Sequence, residues 1–177
     1  MMITSKLPDV GTNIFTVMSA LAAEHGAINL SQGFPDFDPP PALIDLVAKH
    51  MRAGRNQYAP MHGVAPLREC IAAKAADLYG NPVNPETEVT VTSGATEALY
   101  AAITAVVRPG DEVVVLEPAF DSYVPAIRLN GGHPVFVSMK PPDYCIDWDE
   151  VERKIGEKTR LIIVNSPHNP TGTVLSP

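Results

Sequence analysis

The sequence predicts an α/β fold built on a mainly parallel sheet. From about residue 86 short apolar runs alternate with helical segments, the pattern of strands joined by crossover helices. One run, Val113-Val114-Val115-Leu116, is apolar at every position, as a strand covered on both faces must be. The 18 prolines of the 177 residues fall at segment boundaries (Pro39-Pro40-Pro41, Pro141-Pro142, Pro167 with Pro170) and so punctuate elements rather than form a low-complexity tract.

In chain order, Ile14, Val17, Met18 and Leu21 recur at helical spacing and predict a short amphipathic helix. Asn29 to Phe37 is dense in turn formers and reads as an irregular loop. Pro40-Pro41 opens a helix whose apolar face is Leu43, Leu46, Val47 and Met51, and Gly54 ends it. After a loop carrying Asn56-Gln57-Tyr58 and closing at Gly63, Pro66 starts a second helix, which Gly80 stops. Val89-Thr90-Val91-Thr92 is expected to be a strand. The segment from Ala95 to Val107, apolar almost all round, is expected to be a buried helix. Pro109-Gly110-Asp111 turns the chain into the strand at 113–116. A short helix fills 121–129, Gly131-Gly132 leads into the strand Val135-Phe136-Val137, and Asp147 caps a helix to about Ile155. Leu161-Ile162-Ile163-Val164 is expected to be a further buried strand, still awaiting a covering helix, so that the sheet reads as incomplete.

Composition narrows the function classes. Hydrophobic residues are 45% of the chain, an ordinary globular share, and the net charge is −7 with both signs interspersed. A nucleic-acid binder would want a basic face, so that class is disfavoured. No apolar run has signal-peptide or membrane-span length. Cys70 and Cys145 lie in no CxxC pair and near no metal-spaced histidine, which predicts two reduced, partly buried thiols, a cytoplasmic protein and no metal site.

Three stretches carry candidate chemistry. In Thr92-Ser93-Gly94-Ala95-Thr96-Glu97-Ala98 a tight small-residue turn opens a helix, whose first N–H groups lack intrahelical acceptors and sit at the positive end of the dipole. That suits a phosphate, with the Thr96 hydroxyl as a further donor. An ordinary helix capped by Ser93 would show the same residues. The stretch matches neither the Walker loop nor GxGxxG. Glu117-Pro118-Ala119-Phe120-Asp121-Ser122-Tyr123 begins where a buried strand ends, the edge at which open α/β sheets bind ligands. Phe120 there can stack on a flat ring or simply anchor the loop in the core. Asn165-Ser166-Pro167-His168-Asn169-Pro170-Thr171-Gly172 also follows a strand end; its two X-Pro bonds stiffen it and can hold one side-chain amide in place, or make only a proline-rich turn. His168 reads as structural.

Taken in this order, with Asn29-Leu30-Ser31-Gln32-Gly33-Phe34-Pro35-Asp36 and Asn56-Gln57-Tyr58, these segments resemble the class I/II aminotransferases of fold type I, which depend on pyridoxal 5'-phosphate, and among them the bacterial methionine and the kynurenine/glutamine transaminase groups. The resemblance runs from about residue 25 to the end. It implies a partial large domain (46–177) preceded by an N-terminal arm and small-domain segment (1–45). It implies that Gly94, Ala95 and Thr96 hold the cofactor phosphate, Phe120 stacks on the pyridine ring and Asn169 donates to its phenolic oxygen. Gly33 and Phe34 would then line the substrate site, and Tyr58 would reach a neighbour's phosphate in a homodimer. The implied reaction moves an amino group from a methionine-, glutamine- or aromatic-type amino acid to a 2-oxo acid. Lys6, Lys49, Lys74, Lys140, Lys154 and Lys158 do not follow the motifs as the Schiff-base lysine of such enzymes does, so the resemblance also implies no catalytic residue in these 177 residues and no activity from them alone. Three other readings share the motifs: a β-lyase acting on cysteine conjugates with the same cofactor, a non-catalytic sensor domain of that fold, and a phosphate-binding α/β domain without the cofactor. The absence of a basic N-terminal segment counts against the sensor.

Overall fold

The computed structural model describes residues 4–31, 33 and 35–175. The chain forms two compact units. One holds the residues up to Asn13 together with those from Gly94 onward, and the other spans Ile14–Ser93. The division does not follow a boundary at residues 45 and 46.

The unit Ile14–Ser93 is helical. α1 (Ile14–Glu24) carries the apolar positions read at helical spacing, and α2 (Pro41–Arg52) and α3 (Ala65–Tyr79) begin and end close to the prolines and glycines that mark them in the sequence. Proline sits in the first turn of α2 and α3, where a missing N–H costs nothing, and Gly80 closes α3 at φ +62°, a left-handed position that glycine adopts without strain. Arg68 and Ala72 of α3, with Gly63 and Val89, are its buried residues.

Val89–Thr92 belongs to no strand, contrary to expectation. A strand exists only with a partner ladder. Here the Val91 N–H donates to His62 O at 3.1 Å, outside any ladder.

The other unit is a parallel sheet with helices packed on both faces of its central strand. β1 (Glu112–Glu117) lies between β2 (His133–Ser138) and β3 (Thr159–Ile163), in the order β2-β1-β3. Val114 is level with Val135 on one side and Ile162 on the other. Val113 to Leu116 are essentially inaccessible, as the continuous apolar run requires. Their side chains alternate between two cores. Val113 and Val115 join Ile103, Val107, Tyr123, Ala126 and Ile127, from α4 (Gly94–Val106), the residue after it, and α5 (Tyr123–Leu129). Val114 and Leu116 join Val137, Met139 and Val151, the last from α6 (Trp148–Lys154). The carboxylate of Asp147 accepts from Glu150 N–H at 2.9 Å, so the expected cap is formed.

Three burial expectations need correction. α4 buries only Ile103, because among the described residues a single stripe of it meets the sheet and α5. β3 is an edge strand: Leu161 and Ile163 turn to the first core, while Ile162 and Val164, on the other face, are exposed. Cys70 and Cys145 are both free and exposed rather than partly buried. No helix among the described residues is long and apolar enough to cross a membrane.

Candidate functional site

Three of the sequence-selected segments lie toward one edge of the sheet unit. β1 and β3 are parallel neighbours, so the loops that follow them, 118–122 and 164–173, leave from the same carboxyl edge. α4 reaches that edge from the other direction. Its last turn passes through five residues into the start of β1, so the helix runs antiparallel to the strand. At about 1.5 Å per residue its 13 residues span roughly the length of a six-residue strand. Its first turn therefore stands at the carboxyl edge, and Leu99, Ala119 and Phe120 pack on the same core.

Gly94 opens α4 at φ +83°. A Cβ there would meet no atom within 4 Å, so glycine is required for backbone conformation and not for space. Ala95 and Thr96 follow in the exposed first turn. The donor set of backbone N–H groups and one hydroxyl at a helix N-terminus fits a phosphate.

Phe120 is half-buried, and its ring meets Tyr123 edge to face, 5.7 Å between centroids at 75°. The Tyr123 N–H donates to Phe120 O at 3.2 Å. Tyr123 is buried, and burial raises its pKa above the usual phenol value. Phe120 is thus anchored on the core along one side, an arrangement that leaves both sequence readings of it standing.

Asn169 stands exposed in a loop whose base is closed by backbone bonds. The His168 N–H donates to Thr173 O at 2.8 Å, and the Gly172 N–H donates to His168 O at 2.7 Å. The Ser166–Pro167 and Asn169–Pro170 bonds are cis, as is Glu117–Pro118 in the Phe120 loop. His168 is buried, with Nδ1 2.9 Å from Thr171 Oγ1.

Burial holds the His168 imidazole below its ordinary pKa. A base whose folded pKa is depressed stabilises the fold only while neutral. Its contribution is complete above the unfolded value of about 6.5 and is lost as pH falls through the lower folded value. Urea midpoints followed by the fluorescence of Trp148, the one tryptophan, should therefore fall between pH 7 and pH 5, and His168→Gln should flatten that slope. An unchanged slope in the variant would assign the acid sensitivity to other groups.

The remaining candidates lie in the helical unit. Gly33 is exposed and outside any regular element, and Tyr58 is fully exposed in the segment between α2 and α3. Phe34 lies outside the described residues. No group of three or more potential metal ligands occurs among the described residues. Sequence reasoning missed the polar ties of the N-terminal arm. Asp9 accepts from both terminal guanidinium nitrogens of Arg128, Nη1 and Nη2, at 2.7 and 2.8 Å, and the Asn13 amide donates to the Asp121 carboxylate. The partners are more than a hundred residues apart, so no local pattern could announce them.

The chain is similar to known proteins along almost its whole length. The chain is 57% identical over 170 residues to the methionine aminotransferase of Escherichia coli, covering 96% of this chain and 44% of that protein. It is 36% identical to human kynurenine–oxoglutarate transaminase 1, covering 97% of this chain and 44% of the relative. Among solved structures, it superposes with a TM-score of 0.95 on an Escherichia coli protein identified as having a methionine aminotransferase function, at 55% identity, over 99% of this chain and 46% of that one. An N-succinyldiaminopimelate aminotransferase from Mycobacterium tuberculosis gives 0.93 at 46% identity, with the same coverages. The chain thus spans less than half the length of the relatives it matches. Class I and II aminotransferases use pyridoxal phosphate on a fold of type I. The sequence model of the family described as aminotransferase class I and II matches residues 25–177, the same stretch that carries the motifs, and the chain belongs to that family.

Proposed function

We propose that these residues form the cofactor-binding part of a pyridoxal-phosphate-dependent aminotransferase, which moves an amino group from a methionine-, glutamine- or aromatic-type amino acid to a 2-oxo acid. The observation that carries this reading is the placement of a helix N-terminus, a half-buried aromatic ring and an exposed loop asparagine toward one sheet edge, in a chain of this family. The N–H groups of Gly94, Ala95 and Thr96 would hold the phosphate, in a first turn that also contains Glu97. Phe120 would lie against the pyridine ring, and the Asn169 amide would donate to its phenolic oxygen. Gly33 and Phe34 would line the amino-acid site, and Tyr58 would serve the phosphate of a second copy, making the protein a homodimer. When bound, the cofactor supplies the carbonyl that accepts the amino group and the ring that accepts electrons. The reading extends to a cytoplasmic protein. No feature of the described residues favours β-elimination.

The lysines of the sheet unit support the view that these residues do not themselves supply the Schiff base. Lys154 Nζ is occupied by Phe136 O and by Glu150 at 2.6 Å. Lys158 precedes β3 at the opposite edge, and its carbonyl accepts from Glu112. Lys6 lines a groove with His133, the first residue of β2. Lys140 lies in the turn beyond β2, bridged to Cys145.

The test is pyridoxal-phosphate titration of the purified chain, then borohydride trapping read by intact mass. We expect reversible binding with no single-lysine adduct. Phe120→Ala should weaken binding by about tenfold or more, since aromatic stacking is worth on the order of 1–3 kcal/mol. A stoichiometric adduct at one lysine would overturn the assignment of the lysines, and equal affinity in the variant would remove the stacking role.

A further inference from the structure

We propose that residues 9–13 are a strap that holds the Phe120 loop in place, with Asn13 as a positioning residue for the Phe120 ring. The inference rests on the reading of Phe120 as the stacking residue.

The arm of residues 4–13 contains no helix or strand, yet it is attached along α5 at successive points. Lys6 and Leu7 line one groove with Val124, Arg128 and Phe136. Two residues on, the Asp9 carboxylate accepts from both terminal guanidinium nitrogens of Arg128 in the last turn of α5. Asn13 then reaches Asp121, ahead of the first turn of α5. The arm therefore runs antiparallel to the helix. The lengths agree: seven residues from Asp121 to Arg128 rise about 10 Å in helical geometry, and four steps of extended chain from Asp9 to Asn13 reach about 13 Å. The ion pair is not a casual surface contact in its geometry. The Arg128 hydrogen bond, the largest cause, holds Asp9 below the usual carboxylate range, and Asp9 in turn raises Arg128.

The strap matters because of what adjoins Asp121. Phe120 is the preceding residue, in a segment that belongs to no helix or strand. Its ring is buttressed by Tyr123 and the core, and its carbonyl is fixed by the Tyr123 N–H. These contacts set the ring's depth but leave the loop beyond it without regular structure. The Asn13 amide supplies a tie on Asp121 from outside the loop. A ring that must stay parallel to a flat ligand needs such support from a neighbouring segment, since shifts near 1 Å are costly at a binding site. The tie also falls at the last residue of the arm, immediately before α1 begins.

The experiment uses the full polypeptide that carries this chain, loaded with pyridoxal phosphate. Asn13→Ala is expected to lower cofactor affinity about fivefold and to reduce the visible circular dichroism per bound cofactor, which reports the ring's asymmetric surroundings, with an unchanged melting temperature of the cofactor-free protein. Asn13→Asp, which sets two carboxylates face to face, should weaken binding further. The exchange N13D with D121N restores one donor opposite one acceptor, and should recover most of the affinity and the dichroism. Phe120→Ala is the control. If it weakens binding while Asn13→Ala and Asn13→Asp leave affinity and dichroism unaltered, the strap is overturned and the stacking role stands. If affinity falls only in step with melting temperature and the exchange recovers neither, Asn13 is merely structural and the proposal is likewise overturned. If Phe120→Ala binds normally, the stacking role fails and the strap loses its purpose with it.

Discussion

Replacing Ile127 with alanine is expected to destabilise the sheet unit by about 3–4 kcal/mol, within the range for truncating a fully buried aliphatic side chain. Ile127 has no accessible surface and lies among Ile103, Val107, Val113, Val115 and Tyr123, between α5 and the sheet. Lost transfer energy is only part of the cost, because the site cannot collapse. One wall is β1, pinned by ladders on both sides. Another is the turn into β2, where the Gly132 N–H donates to Ile127 O at 3.0 Å. Nor can Gly132 fill the void. A Cβ on it would lie 2.6 Å from Val107 Cγ1, a worse clash than the 3.1 Å to Ile127 Cγ2 that the truncation would relieve. The double variant I127A with G132A should therefore be less stable than I127A alone. Urea unfolding followed by Trp148 fluorescence measures both, since Trp148 sits on α6 of the same unit. A loss below about 1 kcal/mol for I127A would mean that the core relaxes around the gap.

What the sequence could and could not disclose follows from the range of the signals. The buried central strand was legible because a run apolar at every position has one simple solution, cover on both faces, and Val113–Leu116 found it. Helix ends were legible because Pro66, Gly80 and Asp147 act within a few residues of themselves. The edge position of β3 was not. Leu161–Val164 is as apolar as β1, and only its place in the order β2-β1-β3 leaves Ile162 exposed. The same holds for α4, where apolarity all round states what the helix can bury and not which neighbours it meets. Val89–Thr92 has strand composition and no ladder among the described residues. At the candidate site, the segments were found because each is a local event: a turn opening a helix, an aromatic past a strand end, two prolines around an amide. The ties on those segments, Asn13 to Asp121 and Asp9 to Arg128, are long-range and polar, and left no trace in periodicity.

Arg68→Ala should cost the helical unit about 2–4 kcal/mol, because it would orphan groups that one guanidinium now serves together. Arg68 is buried on α3. Its Nε donates to Gly63 O at 3.1 Å, Nη1 donates to Pro85 O, and Nη2 meets the two Glu86 oxygens at 3.1 and 3.3 Å. The pair with Glu86 contributes little, since that carboxylate is mostly exposed. The carbonyls decide the cost. Gly63 is buried at φ +98°, where a Cβ would lie 2.6 Å from Val91 Cγ2, so its backbone is held against the 89–92 segment and cannot turn toward water. A lysine cannot serve three such directions with one ammonium, so Arg68→Lys should recover less than half of the loss. The arginine thereby ties the end of the loop that carries Tyr58 to the 85–86 turn. The measurement is helical circular dichroism during urea unfolding, joined to hydrogen exchange across 58–64. Arg68→Ala should lower the midpoint and speed exchange at Gly63, the residue its guanidinium anchors. Normal protection there would show that packing against Val91 holds the loop without the arginine.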